Sequence, residues 1–130
     1  MNRIKRLRNK GFTFIELLLA VFILSVGISA VLMLYTSSML SAANAWDMTV
    51  ATSNAEHILE EMQIRDSLAD IVSTDWSQWA QDHGLNTLPK ETFSVAFADP
   101  ANDPLNIQIT VSWERQLRTN QIILKTRLTK

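Results

Sequence analysis

The sequence predicts an α+β protein in which one long N-terminal helix, apolar in its first half and amphipathic in its second, packs on a small antiparallel β-sheet of about three strands. Three observations predict it. Leu17 to Tyr35 is almost wholly Leu, Val, Ile, Ala, Phe and Met. No proline occurs before Pro89, so no residue of that type interrupts a helix in the first half of the chain. From Thr92 onward the apolar residues recur with a period of two.

The helix is expected from Phe12 to about Arg65, which at about 1.5 Å per residue approaches 80 Å. Residues 12–35 suffice to cross a bilayer core, which takes about 20 helical residues. Between Lys10 and Asp47 the one fully charged side chain is Glu16. A carboxylate inside a membrane costs roughly 2.5 to 3.5 kcal/mol on insertion scales unless a cation or a proton neutralises it, so Glu16 calls for a partner. Gly27, flanked by Ser25 and Ser29, is a place where another helix can approach closely. Residues 36–65 continue the helix in amphipathic form. Met39, Ala43, Trp46 and Val50, then Ala51, Ala55, Ile58, Leu59 and Met62, make a drifting apolar stripe, with Glu56 and Glu60 on the opposite face.

Residues 66–130 are expected to form a globular head. Asp66 to Lys90 is a polar connection in which Ser67 to Trp79 can form one or two short helices. Trp76 and Trp79, three apart, share a helical face and are expected to fasten the connection to the head; an exposed aromatic pair is the competing reading. Gly84 and Pro89 mark turns. Phe93, Val95 and Phe97 alternate with small or polar residues, and Ile107, Ile109, Val111 and Trp113 alternate with Gln108, Thr110, Ser112 and Glu114. Asp99-Pro100-Ala101-Asn102-Asp103-Pro104 between them is dense in turn formers. A third strand, roughly Gln121 to Leu128, follows a turn at Arg118-Thr119-Asn120 and completes a meander. Its edge strands are candidates for contact with neighbouring molecules.

The chain has 130 residues, a formal net charge of −1 and no cysteine, which leaves room for one small domain beside the apolar helix. Five cations, Arg3, Lys5, Arg6, Arg8 and Lys10, precede that helix. The positive-inside rule keeps this end in the cytoplasm and sends the rest outward. Acid predominates from Asp47 to Asp103, whereas Arg115, Arg118, Lys125, Arg127 and Lys130 make the C-terminal stretch basic. Solvated surfaces account for such blocks, and complementary subunit contacts are the sharper alternative.

Lys10-Gly11-Phe12-Thr13-Phe14-Ile15-Glu16 resembles the cleavage and methylation motif of type IV prepilins and pseudopilins. The resemblance joins a short basic leader, Gly11 at the scissile position, Phe12 as the new N-terminal residue, Glu16 fifth after the cut, and the apolar span. It implies a pilin-like fold and a leader, residues 1–11, removed by an aspartyl prepilin peptidase that hydrolyses Gly11–Phe12 and N-methylates the Phe12 amine. Gly11 would be read by that enzyme, where a side chain would obstruct the backbone. Glu16 would face the α-amino group of a neighbouring subunit and so act in assembly rather than catalysis. Many major pilins carry a proline kink in this helix, and this chain has none there.

Leu17-Leu18-Leu19-Ala20-Val21-Phe22-Ile23-Leu24-Ser25-Val26-Gly27 looks most like the PilV group of minor pilins. That resemblance implies a structural minor pilin of a type IV pilus; the alternative is a GspI-like minor pseudopilin of a type II secretion system. The implied partners are prepilin peptidase, other pilin or pseudopilin subunits, an inner-membrane assembly platform, and the lipid bilayer before assembly. The implied location is the inner membrane, single-pass with the N-terminus cytoplasmic and the head periplasmic, and then the filament.

Other readings are weaker. A secretory signal peptide ending at Ala43-Asn44-Ala45 would need an apolar region of 7 to 15 residues, which this one far exceeds. A plain membrane anchor would need no acid. An enzyme would need convergent nucleophile, base and electrostatic groups, and none is evident. His57 with Glu60 or Glu61 has the helical spacing of two metal ligands but lacks a second cluster, and His83 is isolated. Asp99, Asn102 and Asp103 offer too few oxygens for calcium and read as a capped turn. No cofactor and no metal are expected, and the sparse basic residues of an otherwise acidic head disfavour nucleic acid.

Overall fold

The computed structural model describes residues 11–130. The basic leader lies outside the described residues, apart from Gly11. Helix α1 runs over Phe14–Ile64, 51 residues. It is followed by α2 (Leu68–Ser73), α3 (Trp76–Asp82), β1 (Thr92–Phe97), β2 (Leu105–Arg115) and β3 (Arg118–Leu128). The chain resolves into two compact units that divide between Ser41 and Ala42.

In the first unit every residue from Gly11 to Ser41 is exposed. Its large apolar side chains therefore have no cover among the described residues, and α1 is long and apolar enough to cross a membrane. Three hydroxyls in this stretch are satisfied locally. Ser25 Oγ donates to the Phe22 carbonyl at 2.7 Å, Ser29 Oγ to Ser25 at 2.8 Å and Thr36 Oγ1 to Met33 at 2.9 Å. Hydroxyls bonded to their own helix demand nothing of an apolar surrounding.

The second unit is a three-stranded antiparallel meander of order β1-β2-β3 with the rest of α1 against it. Along β2, Leu105, Ile107, Ile109, Val111 and Trp113 are buried while the residues between them are half-buried, the alternation expected of a sheet with one dry face. They share a core with Ala51, Ala55, Ile58 and Met62 of α1, with Phe93 of β1 and with Leu128 of β3. The β3 strand begins at Arg118, not at Gln121, and Thr119 and Asn120 pair with Glu114 and Trp113. The turn is Gln116-Leu117, whose φ angles are 51° and 62°. Gly and Asn are the usual residues for such angles, so the sequence drew attention to Asn120 instead.

The apolar stripe of α1 also differs from expectation. Met39 and Trp46 are 58% and 68% exposed, and the inward positions are Asp47, Ala51, Asn54, Ala55, Ile58 and Met62. The spacing of Ala51, Ala55 and Ile58 defines the face, and stepping back one turn lands on Asp47 rather than on Trp46. Its carboxylate is 1% exposed and is held by Arg115 at the end of β2, with Nη2 to Oδ1 at 2.7 Å and Nε to Oδ2 completing a bidentate pair. At the other end Lys130 Nζ donates to the Gln63 carbonyl at 2.5 Å.

The connection is pinned by two devices. Ser67 and Asp75 cap α2 and α3, accepting from Asp70 N and from Ser77 N and Gln78 N. Trp76 is buried with its Nε1 donating to the Ile71 carbonyl at 2.8 Å, and Trp79 lies edge-on to it at 5.7 Å. The tryptophans thus fasten the connection to the core. Further on, buried Glu91 accepts from the Thr87 and Leu88 amides and from Asn54 Nδ2, each at 2.8 Å, and Asn54 Nδ2 also meets the Leu85 carbonyl at 2.8 Å. An acid inside the fold is tolerable because donors surround it.

Replacing Asp47 by Ala should destabilise the second unit by about 2 to 3 kcal/mol, below the usual range for a buried pair because Arg115 is partly solvated. Removing the exposed Lys90 partner of Glu114 should cost under about 1 kcal/mol. Tryptophan-fluorescence unfolding of the detergent-solubilised chain measures both.

Candidate processing and assembly site

Thr13 stands immediately before the first helical residue, and a helix start leaves amide groups without intrahelical partners. Here the amide of Glu16 donates to Thr13 Oγ1 at 3.3 Å and the amide of Thr13 donates to Glu16 Oε2 at 3.5 Å. This reciprocal arrangement is a capping box, and its lengths make it a loose one. A carboxylate there also faces the positive end of the helix dipole. Glu16, which calls for a partner, has a weak one in the Thr13 backbone; Thr13-Phe14-Ile15-Glu16 ahead of an apolar run is the sequence form of such a box.

Around the box the surface is open: Phe12 is 83%, Phe14 77% and Ile15 70% exposed. At Gly11 a Cβ would meet nothing within 4 Å among the described residues. Packing of the described residues therefore does not require glycine at position 11. Gly27 is equally open, with Ile23, Leu24, Ile28, Val31 and Leu32 around a shallow apolar depression of about 480 Å³.

The remaining candidate residues do not converge. His57 is exposed and lies 6.2 Å edge-on to Trp79, while Glu61 pairs with Arg65 at 3.2 Å. His83 stacks on Trp79 at 4.1 Å with Nδ1 at 2.8 Å from the Trp79 carbonyl. Asn102 Nδ2 donates to Asp99 Oδ2 at 2.8 Å and Asn102 N to the Asp99 carbonyl at 3.1 Å, a closed turn. Among the described residues no group of three His, Asp or Glu side chains is placed to hold a metal. Ala43-Asn44-Ala45 lies within continuous helix.

Residues 6–32 match the family model described as the prokaryotic N-terminal methylation motif. The match spans Gly11, Phe12, the capping box and most of the apolar run, to Leu32. Comparison with curated proteins and with solved structures gave no match. The motif supports a type IV pilin or pseudopilin, a structural class rather than an enzyme class. It implies processing by prepilin peptidase and assembly with other pilin subunits, and with the long apolar helix it supports membrane anchoring.

Thr13→Ala should cost the helix start about 1 kcal/mol. Amide hydrogen exchange in micelles should quicken at Phe14 to Leu17 and stay unchanged beyond Gly27, and Thr13→Ser should restore it.

Proposed function

We propose that the chain is a minor pilin of a type IV pilus, closest to the PilV-like group. In this reading residues 1–11 are a leader removed by prepilin peptidase at Gly11–Phe12, and the Phe12 amine is then N-methylated. Residues 12–35 span the inner membrane with the leader cytoplasmic and later enter the filament core. Residues 36–65 continue as the amphipathic part of the helix, and residues 66–130 complete a periplasmic head. The observation that carries the proposal is the coincidence of the motif match with a fully exposed apolar helix whose one acid stands at its capped start.

Several features support it. A glycine that the chain's own packing does not require fits a residue read by a processing enzyme. An exposed Glu16 with one oxygen in a loose cap can exchange that weak contact for the amine of a neighbouring subunit. In lipid-like surroundings a charge left alone is costly, so such a pair rewards one axial register. The open surface at Gly27 offers a seat for another helix. Lipid and helix surfaces are about equally apolar, so packing and the charge pair, with an assembly platform supplying work, would direct extraction from the bilayer.

The N-terminus of the protein recovered from its own cells should be N-methylated Phe12 by mass spectrometry. A start at Trp46 would mean a secreted soluble domain, and an intact Met1 a plain anchor; either overturns the reading. Glu16→Ala should leave cleavage intact and lower incorporation into sheared filaments at least about tenfold, the scale of losing one charge pair. Recovery of the wild-type protein with secretion machinery but not with pili would assign it to the pseudopilin class.

A further inference from the structure

The second unit carries opposite charge on its two outer sides. On the sheet, Gln108 stands between Ala96 and Lys125, and Asn106 stands opposite Arg127. These residues alternate with the core positions Leu105, Ile107 and Leu128, so they share the face turned away from the helix. Lys125 and Arg127 are exposed and have no carboxylate partner among the described residues. They border an open groove of about 510 Å³ whose far side is kept low by Ala96 and Ala98. The one acid on the three strands, Glu114, is held by Lys90.

The helix layer is the reverse. Ser53, Glu56 and Glu60 are exposed and, at 3.6 residues per turn, lie on the side of α1 away from Ala51, Ala55 and Ile58. Glu56 and Glu60 have no cation partner among the described residues. Next to Glu56, toward the start of this unit, Met48, Thr49, Thr52 and Ser53 line a shallow depression of about 350 Å³. The hydroxyls of Thr49 and Thr52 donate to their own helix, so they bring no unmet polar demand to it.

The inner sides of sheet and helix face each other across the core. The basic and acidic faces are therefore on opposite sides of a two-layer body and cannot meet within one copy. Between copies their spacing agrees. Residues two apart on a strand are separated by about 7 Å, and i, i+4 neighbours on a helix by about 5 to 6 Å at Cβ. Long cationic side chains absorb the difference. With Lys125 over Glu56 and Arg127 over Glu60, the next outward residue of β3, Ile123, falls one turn back along the helix, at Thr52 and the depression. Ile123 is 49% exposed in its own copy, an apolar side chain on a polar face.

We propose that the outward sheet face of one copy docks on the outward helix face of a second, Lys125 and Arg127 meeting Glu56 and Glu60 and Ile123 entering the depression at Thr52. Two different faces make a heterologous contact, which leaves one of each free at the ends of a pair and lets further copies join in the same direction. The contact involves residues of the second unit alone. It goes beyond the proposed function and requires neither processing nor a membrane.

The cysteine-free full chain in detergent micelles permits a direct test. A copy with Ser53→Cys and a differently tagged copy with Ile123→Cys are mixed and joined by a short thiol crosslinker, with Ala101→Cys in the β1–β2 loop replacing Ile123→Cys as control. Joining of 53 to 123 should exceed joining of 53 to 101 at least about fivefold, the scale of two exposed ion pairs. Lys125→Glu with Arg127→Glu in the Ile123→Cys copy should bring it to the control level. Glu56→Lys with Glu60→Lys in the Ser53→Cys copy should then restore it. Should a reversed variant fold poorly, Lys125→Gln with Arg127→Gln should lower the yield in the same direction. Equal yields at 123 and 101, or a yield indifferent to these substitutions, would overturn the proposal. So would preferential joining of 123 to 123, which marks a contact between like faces. An N-terminus other than Phe12 would remove the proposed function and leave this contact standing.

Discussion

The seating of α1 in the core of the sheet is the constraint on which the rest depends. A sheet with one apolar face must bury that face against another layer, and the helix supplies it through Ala51, Ala55, Ile58 and Met62. Two alanines among these four keep the helix surface low enough for the branched residues of β2 to fill the space at interior density. Everything else in the second unit adjusts to that contact. The connection folds back so that Trp76 and Ile71 close one side, and Leu85 and Leu88 extend the same core.

Apolar contact is poor at specifying register, because a stripe can slide or rotate with modest loss. The polar contacts supply what it lacks. Asp47 with Arg115, Asn54 with Glu91, and Lys130 with the Gln63 carbonyl fix the helix at three levels along the sheet. The groups of the first two, Asp47, Asn54 and Glu91, are buried, and buried polar groups bring little net stability when satisfied and a large penalty when displaced. That asymmetry disfavours slipped arrangements more than it favours the native one.

The first unit follows the opposite logic. Among its described residues none is buried, and Ser25, Ser29 and Thr36 bond to their own helix, so its free energy depends on what surrounds it. Glu16 is the exception that gives this surface a direction. Its loose capping bonds are made by the Thr13 backbone and hydroxyl, groups that water or a competing cation can replace at small cost. The same residue can thus start the helix in the isolated chain and, in the proposed filament, mark the position of a neighbour.

Much of this was legible in the sequence. The unbroken helix followed from the lack of proline and the long apolar run, and the meander from the period of two. Local rules and chain-level solvent preference decide these, so sequence by itself determined them. It did not determine which face of the second half of α1 turns inward. Trp46 is the more apolar residue, yet Asp47 is buried, because a distant arginine on β2 arrives to neutralise it. Nor did it determine the place of the β2–β3 turn, where pairing of Asn120 with Trp113 pushed the bend onto two residues ill suited to it. Both outcomes arise from contacts between residues far apart in the chain, and only the tertiary structure brings those residues within reach of one another.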